Sequence, residues 1–328
     1  MRSLVKNIGC ALAMLFVAGS VIPPAAADEA PPPCAGKILE DPAPVPGPIN
    51  SEGLLWRIEK PGLAPSYLFG TIHSTDDGAV ALARKAAQNI PGAKIVATEI
   101  GGPFDAYGMG EIASALMVKA IDKEEDTFAA FHSPADVALA ESFVRAHGLA
   151  SELAHHLRLW FLGVGLTQPL CEIQRVAKGL PEVDNLIAQI GKDAGVKIIG
   201  LETFDEQASV IASVKTDTAA EVLLTSARHP ELNDDSYVTL LAKYRDGNPA
   251  SFFSLADHIS NLTAQERAAQ NDFIATLMGG RNATMAERSR PLLAQGGAFI
   301  AVGAFHLVGA EGLIERFRAF GYSVVKVW

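Results

Sequence analysis

Two histidines stand in the same local setting at opposite ends of the chain. Tyr67-Leu68-Phe69-Gly70-Thr71-Ile72-His73 is an apolar run followed by Gly-x-x-His, and Phe299-Ile300-Ala301-Val302-Gly303-Ala304-Phe305-His306 repeats the pattern. In each, the glycine lets the backbone turn or be approached closely where a strand ends, and the histidine emerges just beyond it. Two carboxylates occupy comparable places. Glu99 follows the apolar run Ile95–Ala97, and Glu202 follows Val196–Ile199. Ligands of parallel α/β sheets bind outside the carboxyl ends of the strands. His73, His306, Glu99 and Glu202 are therefore expected at one sheet edge.

Two imidazoles and a carboxylate, here His73, His306 and Glu99, are a ligand set for a divalent metal ion such as Zn, Mn, Co or Fe. With an open position, such an ion activates water for hydrolysis. A lone Gly-x-x-His is unspecific. Two copies, with carboxylates after two other strands, are a narrower signal. The helical H-E-x-x-H, the G-x-S-x-G elbow, the P-loop and G-x-G-x-x-G are absent. His155 and His156 are adjacent, so on a helix they diverge by about 100° and cannot share an ion.

The elements that must position these residues can be read from the patterning. Leu54–Ile58 and Ser66–Gly70, separated by Pro61-Gly62, predict a hairpin or adjacent strands. Ala79–Ile90 is Ala-rich and helical, and Lys94–Ala97 is a buried strand. This β–helix–β order predicts a right-handed crossover with parallel pairing. Glu182–Ala194 predicts a helix, Val196–Ile199 a strand, Ala298–Val302 a strand, Gly309–Phe320 a helix and Ser323–Trp328 a strand. Residues 104–180 and 204–290 carry almost only helical spacing. The expected fold class is α/β, a mostly parallel sheet core with a large helical insert or subdomain.

The chain has 328 residues, 49% hydrophobic and 20% charged, which excludes a disordered or collagen-like protein. Its net charge of −10 is the wrong balance for a nucleic-acid binder or an anionic membrane surface. Residues 1–27 have the layout of a signal peptide: Arg2 and Lys6, an apolar stretch from Ile8 to Val21, and Ala25-Ala26-Ala27. Cleavage after Ala27 would place the protein in the periplasm or medium. No other run is long and apolar enough to span a bilayer. A proline-rich leader, 28–52, precedes the folded domain, 53–328. Without the signal, Cys34 and Cys171 are the remaining cysteines. They are available for one disulfide that would staple the leader to the middle of the fold.

Leu55-Trp56-Arg57-Ile58 followed by Tyr67–His73 resembles the opening of the TraB/PrgY/GumN family, related to the TIKI metalloproteases. So does Gly200-Leu201-Glu202-Thr203 with Gln207. The strongest stretch is Arg281–Ala286, continuing through Val302–Gly309 to Gly321–Val324. The family is similar to the erythromycin-esterase and ChaN-like group, whose members share a parallel-sheet core and a site of two histidines and acidic residues. The resemblance implies metal roles for His73 and His306, a catalytic or ligand role for Glu99, and places Arg281 and Asn282 near the site. Physically, Arg281 could neutralise a developing oxyanion and Asn282 orient a carbonyl. The alternative is a helix start, with Asn282 as its cap and Arg281 solvated. Glu202 is either a general base, a support for the ligands, or a partner of Arg281. The family's Gly-x-Asp ahead of a helix is displaced here to Gly179-Leu180-Pro181-Glu182-Val183-Asp184.

These readings lead to an exported, metal-dependent, peptidase-like hydrolase acting on a peptide or small molecule. The alternatives are a haem- or iron-binding protein, or a non-catalytic signalling module on the same fold. The export reading predicts a mature N-terminus at Asp28. Intact-mass analysis of the secreted protein checks this, and retention of Met1 would contradict it.

Overall fold

The computed structural model describes residues 34–39, 49–102, 114–122, 124, 126–166, 168–250, 259 and 261–328. The signal segment, most of the leader, residues 103–113 and His258 lie outside the described residues.

Six strands form one mixed sheet in the order β4-β3-β5-β2-β1-β6. They are β1 (Leu55–Glu59), β2 (Ser66–Thr71), β3 (Ile95–Ile100), β4 (Lys197–Glu202), β5 (Ala298–Gly303) and β6 (Ser323–Lys326). β1 runs antiparallel to β2 and β6. β2, β5, β3 and β4 are mutually parallel. The expected α/β class, with its helical part, is the observed one.

One expectation fails. β2 and β3 are parallel but do not pair, because β5 lies between them. The reason is burial. Five of six β5 residues are buried, so that strand takes the centre, whereas β4 exposes Lys197 and Gly200 and takes the edge. The first helix, α1 (Asp77–Ala87), also differs from the expected 79–90. It starts early because the Asp76 side chain accepts from the Ala79 N–H.

Each sheet face carries its own core, and β5 shows the alternation. Phe299 and Ala301 pack with Ala83 of α1, Ile187 of α6 (Val183–Asp193) and Tyr244 of α9 (Leu232–Arg245). Ile300 and Val302 face the other way, onto Met285 and Leu293 of α11 (Arg281–Gln295) and Phe317 of α12 (Leu313–Ala319).

The helical part has a third core. Phe143 of α2 (Pro134–Ala146), Phe161 of α4 (Leu159–Gly165), Leu223 of α8 (Thr216–Arg228) and Phe273 of α10 (Ala264–Met278) belong to it. Ser133 caps α2 with Pro134 at its first position, as its sequence predicts. The short α3 (Ser151–Ala154), α5 (Leu170–Ala177) and α7 (Phe204–Ala212) complete the set. Among the described residues no helix is long and apolar enough to cross a membrane.

Cys34 and Cys171 form a disulfide, with Cα atoms 5.2 Å apart, that ties the leader to α5. A cross-link closing a loop of 137 residues is expected to stabilise the fold by about 2–5 kcal/mol. Urea unfolding of a Cys34→Ala/Cys171→Ala protein measures this. A midpoint unchanged from wild type would show that the bond does not constrain the chain.

Candidate active site at the carboxyl edge of the sheet

The two Gly-x-x-His segments are brought together by strand pairing. β2 and β5 are adjacent and in register, with Gly70 opposite Val302 and Thr71 opposite Gly303. Both glycines serve close approach. A Cβ on Gly70 would lie 3.0 Å from the Cα and Cβ of Ala304, in the 3-10 turn Ala304–Leu307 that carries His306. A Cβ on Gly303 would lie 3.1 Å from Glu99 Oε1, where the Gly303 N–H donates to that oxygen at 2.7 Å.

Glu99, at the end of β3, is held from several sides. Its Oε2 accepts from Arg281 Nη2 at 2.7 Å and from Gln207 Nε2 at 3.0 Å. Arg281 spans to Glu202 at the end of β4, donating through Nη2 at 2.6 Å and Nε at 3.0 Å. Gln207 Nε2 also reaches Glu202 Oε2, at 3.1 Å. The helix-start alternative is thereby settled. Gly280 (φ 74°), not Asn282, precedes the first turn of α11, and the Arg281 side chain is mostly buried. Burial alone would raise the pKa of Glu99. His306, Arg281, His73 and the Gly303 N–H outweigh it and bring it down to about 2.

Asn282 serves His306. Its Nδ2 donates to the Glu311 carbonyl at 3.0 Å, which turns Oδ1 toward His306 Nδ1 at 2.6 Å. Nδ1 therefore carries the ring proton, and Nε2 presents its lone pair. Burial keeps this imidazole below its ordinary pKa, against the pull of Glu99. Its Nε2 lies 3.7 Å from Glu99 Oε1. Two electron-pair donors thus face each other at a distance too long for a hydrogen bond.

His73 sits on the same cleft but has its own partner, Asp184. Its Nδ1 is 3.0 Å from Asp184 Oδ2, and Thr71 Oγ donates to Asp184 Oδ1 at 2.5 Å. Oδ2 is buried, and its close contact is the ion pair with this ring rather than a hydrogen bond. The charge of Asp184, aided by Glu182 and Glu99, raises the His73 pKa to about 10 against desolvation. The His73 side chain nevertheless keeps two-thirds of its surface open to the cleft. Asp184 is the site residue that the sequence left unassigned. Its signal was the displaced Gly179…Asp184 spacing, which α6 resolves by presenting Asp184 from its first turn.

The structure therefore brings Glu99, Glu202, Arg281, Asn282 and His306 into one network and sets His73, paired with Asp184 behind it, on the same cleft. Among the described residues, no three His, Cys, Asp or Glu side chains already converge at ion-holding distance. The cleft has a volume of about 450 Å³, and Leu240, Leu262, Phe273 and Leu277 contribute an apolar wall. His155 is elsewhere, at the C-cap of α3, where it bridges Asp126 (2.7 Å) and Glu141 (3.0 Å).

A sequence model of the TraB/PrgY/gumN family matches residues 54–326. The chain belongs to the TraB/PrgY/gumN family. Comparison with curated proteins and with solved structures found no match. In this family member, the matched span contains the whole network from His73 to His306, while Cys34 lies outside it.

Two outcomes follow from the geometry. Replacing Arg281 by Met leaves two buried carboxylates unpaired and should destabilise the protein by about 3–5 kcal/mol in chemical denaturation. Glu99 has a folded pKa of about 2 against an ordinary 4.5, so its contribution is present above pH 4.5 and lost as pH falls toward 2. The difference corresponds to about 3 kcal/mol. Glu99→Gln should flatten the stability profile across that window. An unchanged acid slope would remove Glu99 from the ion network.

Proposed function

We propose that this family member is an exported metal-dependent hydrolase with peptidase-like chemistry, using a divalent ion such as Zn, Mn or Co. One observation carries the reading: His306 Nε2 and Glu99 Oε1 present lone pairs to each other at 3.7 Å with no shared hydrogen bond. Two ligands of one tetrahedral ion would stand at about 3.3 Å, given bonds of about 2.0–2.2 Å. His73 lines the same cleft, and the buried Asp184 Oδ2, which has no hydrogen bond, stands 3.0 Å behind its ring as a further carboxylate oxygen. The donor set is thus present in kind, as two pairs that the proposal requires to share one ion. The signal-like N-terminus and the disulfide support export.

When bound, the ion would supply a Lewis acid and a water of lowered pKa. The chain's own residues have distinct tasks. Asn282 fixes the His306 tautomer, so Nε2 remains a donor of its lone pair. Arg281 keeps Glu99 ionised and is the cationic group nearest a developing oxyanion at the sheet edge. Glu99 stays a carboxylate and would offer Oε1 as the ligand beside His306, with Glu202 anchoring Arg281 behind it. Thr71 orients Asp184, and Asp184 holds His73.

His73 is protonated up to about pH 10 in the free protein, so ion binding must displace that proton. Zinc affinity should therefore rise between pH 6 and 8, with proton release visible when calorimetry is repeated in buffers of different ionisation enthalpy. His73→Ala and His306→Ala should each lower bound metal while leaving the fold intact. Hydrolysis of a mixed peptide library should stop on chelation and return with metal. Activity unaffected by chelation, in protein shown to be metal-free, would overturn the metal reading.

A further inference from the structure

Between Thr71 and Asp77 the chain that carries His73 has no helix or strand of its own. Nevertheless Ser74 and Thr75 are fully buried. α5 grips them. Glu172 Oε1 accepts the Thr75 N–H at 2.5 Å. Arg175 donates from Nε to Thr75 Oγ at 2.8 Å and from Nη2 to the Thr75 carbonyl at 3.1 Å. The N–H, the carbonyl and the hydroxyl of one threonine are all taken by two charged side chains that are themselves buried. Burying such groups is costly unless they are fully bonded, and here their bonds go to the segment just after His73.

The other Glu172 oxygen closes a ring of constraints. Oε2 accepts from Tyr237 OH at 2.5 Å, and Tyr237 OH in turn accepts from Ser74 Oγ at 2.7 Å. Tyr237 belongs to α9. The leader segment is laid on the same helix: the Lys37 N–H donates to Asp235 Oδ1 at 2.6 Å and the Leu39 N–H to Thr239 Oγ at 2.9 Å. In that segment Cys34 is bonded to Cys171, the residue before Glu172. α5 and α9 are thus fastened to each other on one side by the disulfide-anchored leader and on the other by Glu172–Tyr237.

We infer that Glu172 and Arg175 are positioning residues that hold His73 in the cleft through Thr75, and that the Cys34–Cys171 bond locks this clamp. The consequence for metal affinity rests on the proposed metal site; the consequence for His73 itself does not. Supports of this kind, when removed, weaken metal binding by about 10–100-fold.

Zinc titration of the intact mature protein by calorimetry tests the inference. Thr75→Val, which removes the hydroxyl, and Cys34→Ala/Cys171→Ala should each raise Kd about tenfold or more. Thr75→Ser, which keeps the hydroxyl, should bind like wild type. Glu221→Gln disturbs a partly buried ion pair with Arg228 in the helical part and should leave Kd unchanged, although it lowers stability. Thr75→Val binding zinc as wild type does, or Glu221→Gln weakening it equally, would overturn the clamp. If wild type itself binds no zinc, the metal reading fails. The clamp is then judged from the His73 imidazole NMR signals of the metal-free protein. They should shift and broaden in Thr75→Val and not in Thr75→Ser, and identical signals in all three proteins would refute it.

Discussion

The guanidinium of Arg281 is the interaction on which the site depends. Two parallel neighbours, β3 and β4, deliver Glu99 and Glu202 to the same corner of the sheet, and both carboxylates are largely buried. Like charges this close and this dry repel strongly unless a cation lies between them. Arg281 fills that place with a planar fork that bonds both. Glu99, Glu202 and Asp184, with Glu182 near His73 and Glu172 on the cleft, outnumber the cations Arg281 and protonated His73, and this excess of carboxylates is the setting for the proposed cation rather than for an anionic cofactor.

Backbone geometry makes that arrangement possible. Gly280 turns the chain in the left-handed region, and α11 then presents Arg281 and Asn282 in succession. The first goes to the carboxylates and the second to His306. Adjacent helical residues point about 100° apart, so consecutive positions suit two different partners and could not have served one. Gly70 and Gly303 act by omission. Their missing side chains let the His306 turn lie on β2 and let Glu99 reach a backbone N–H.

Much of this was legible in the residues. Apolar runs ending in Gly-x-x-His placed His73 and His306 at one sheet edge, because the period of a buried strand and the close approach at its end are local properties. Glu99 and Glu202 followed by the same logic. The pairing of Arg281 with Glu202 was one of three readings of that carboxylate, and only the folded chain, which turns Arg281 into the sheet edge at Gly280, chose it. Strand order was not legible: β5 separates β2 from β3 because of burial from both faces, which depends on what packs above and below. Asp184 was named but left without a role because its spacing from Gly179 departs from the family pattern, and only the fold sets it against His73. The grip of α5 on Thr75 was likewise invisible, since helical spacing over 104–180 says nothing of which distant backbone Glu172 and Arg175 meet.

The central claim is that the two histidines and the carboxylates at this sheet edge share one ion. Zinc-edge X-ray absorption of the mature protein loaded with one equivalent of zinc tests it most directly. The account predicts a shell of nitrogen and oxygen ligands containing two imidazoles, reduced to one imidazole in His306→Ala. A shell without imidazole, or a spectrum unchanged by His306→Ala, would contradict it.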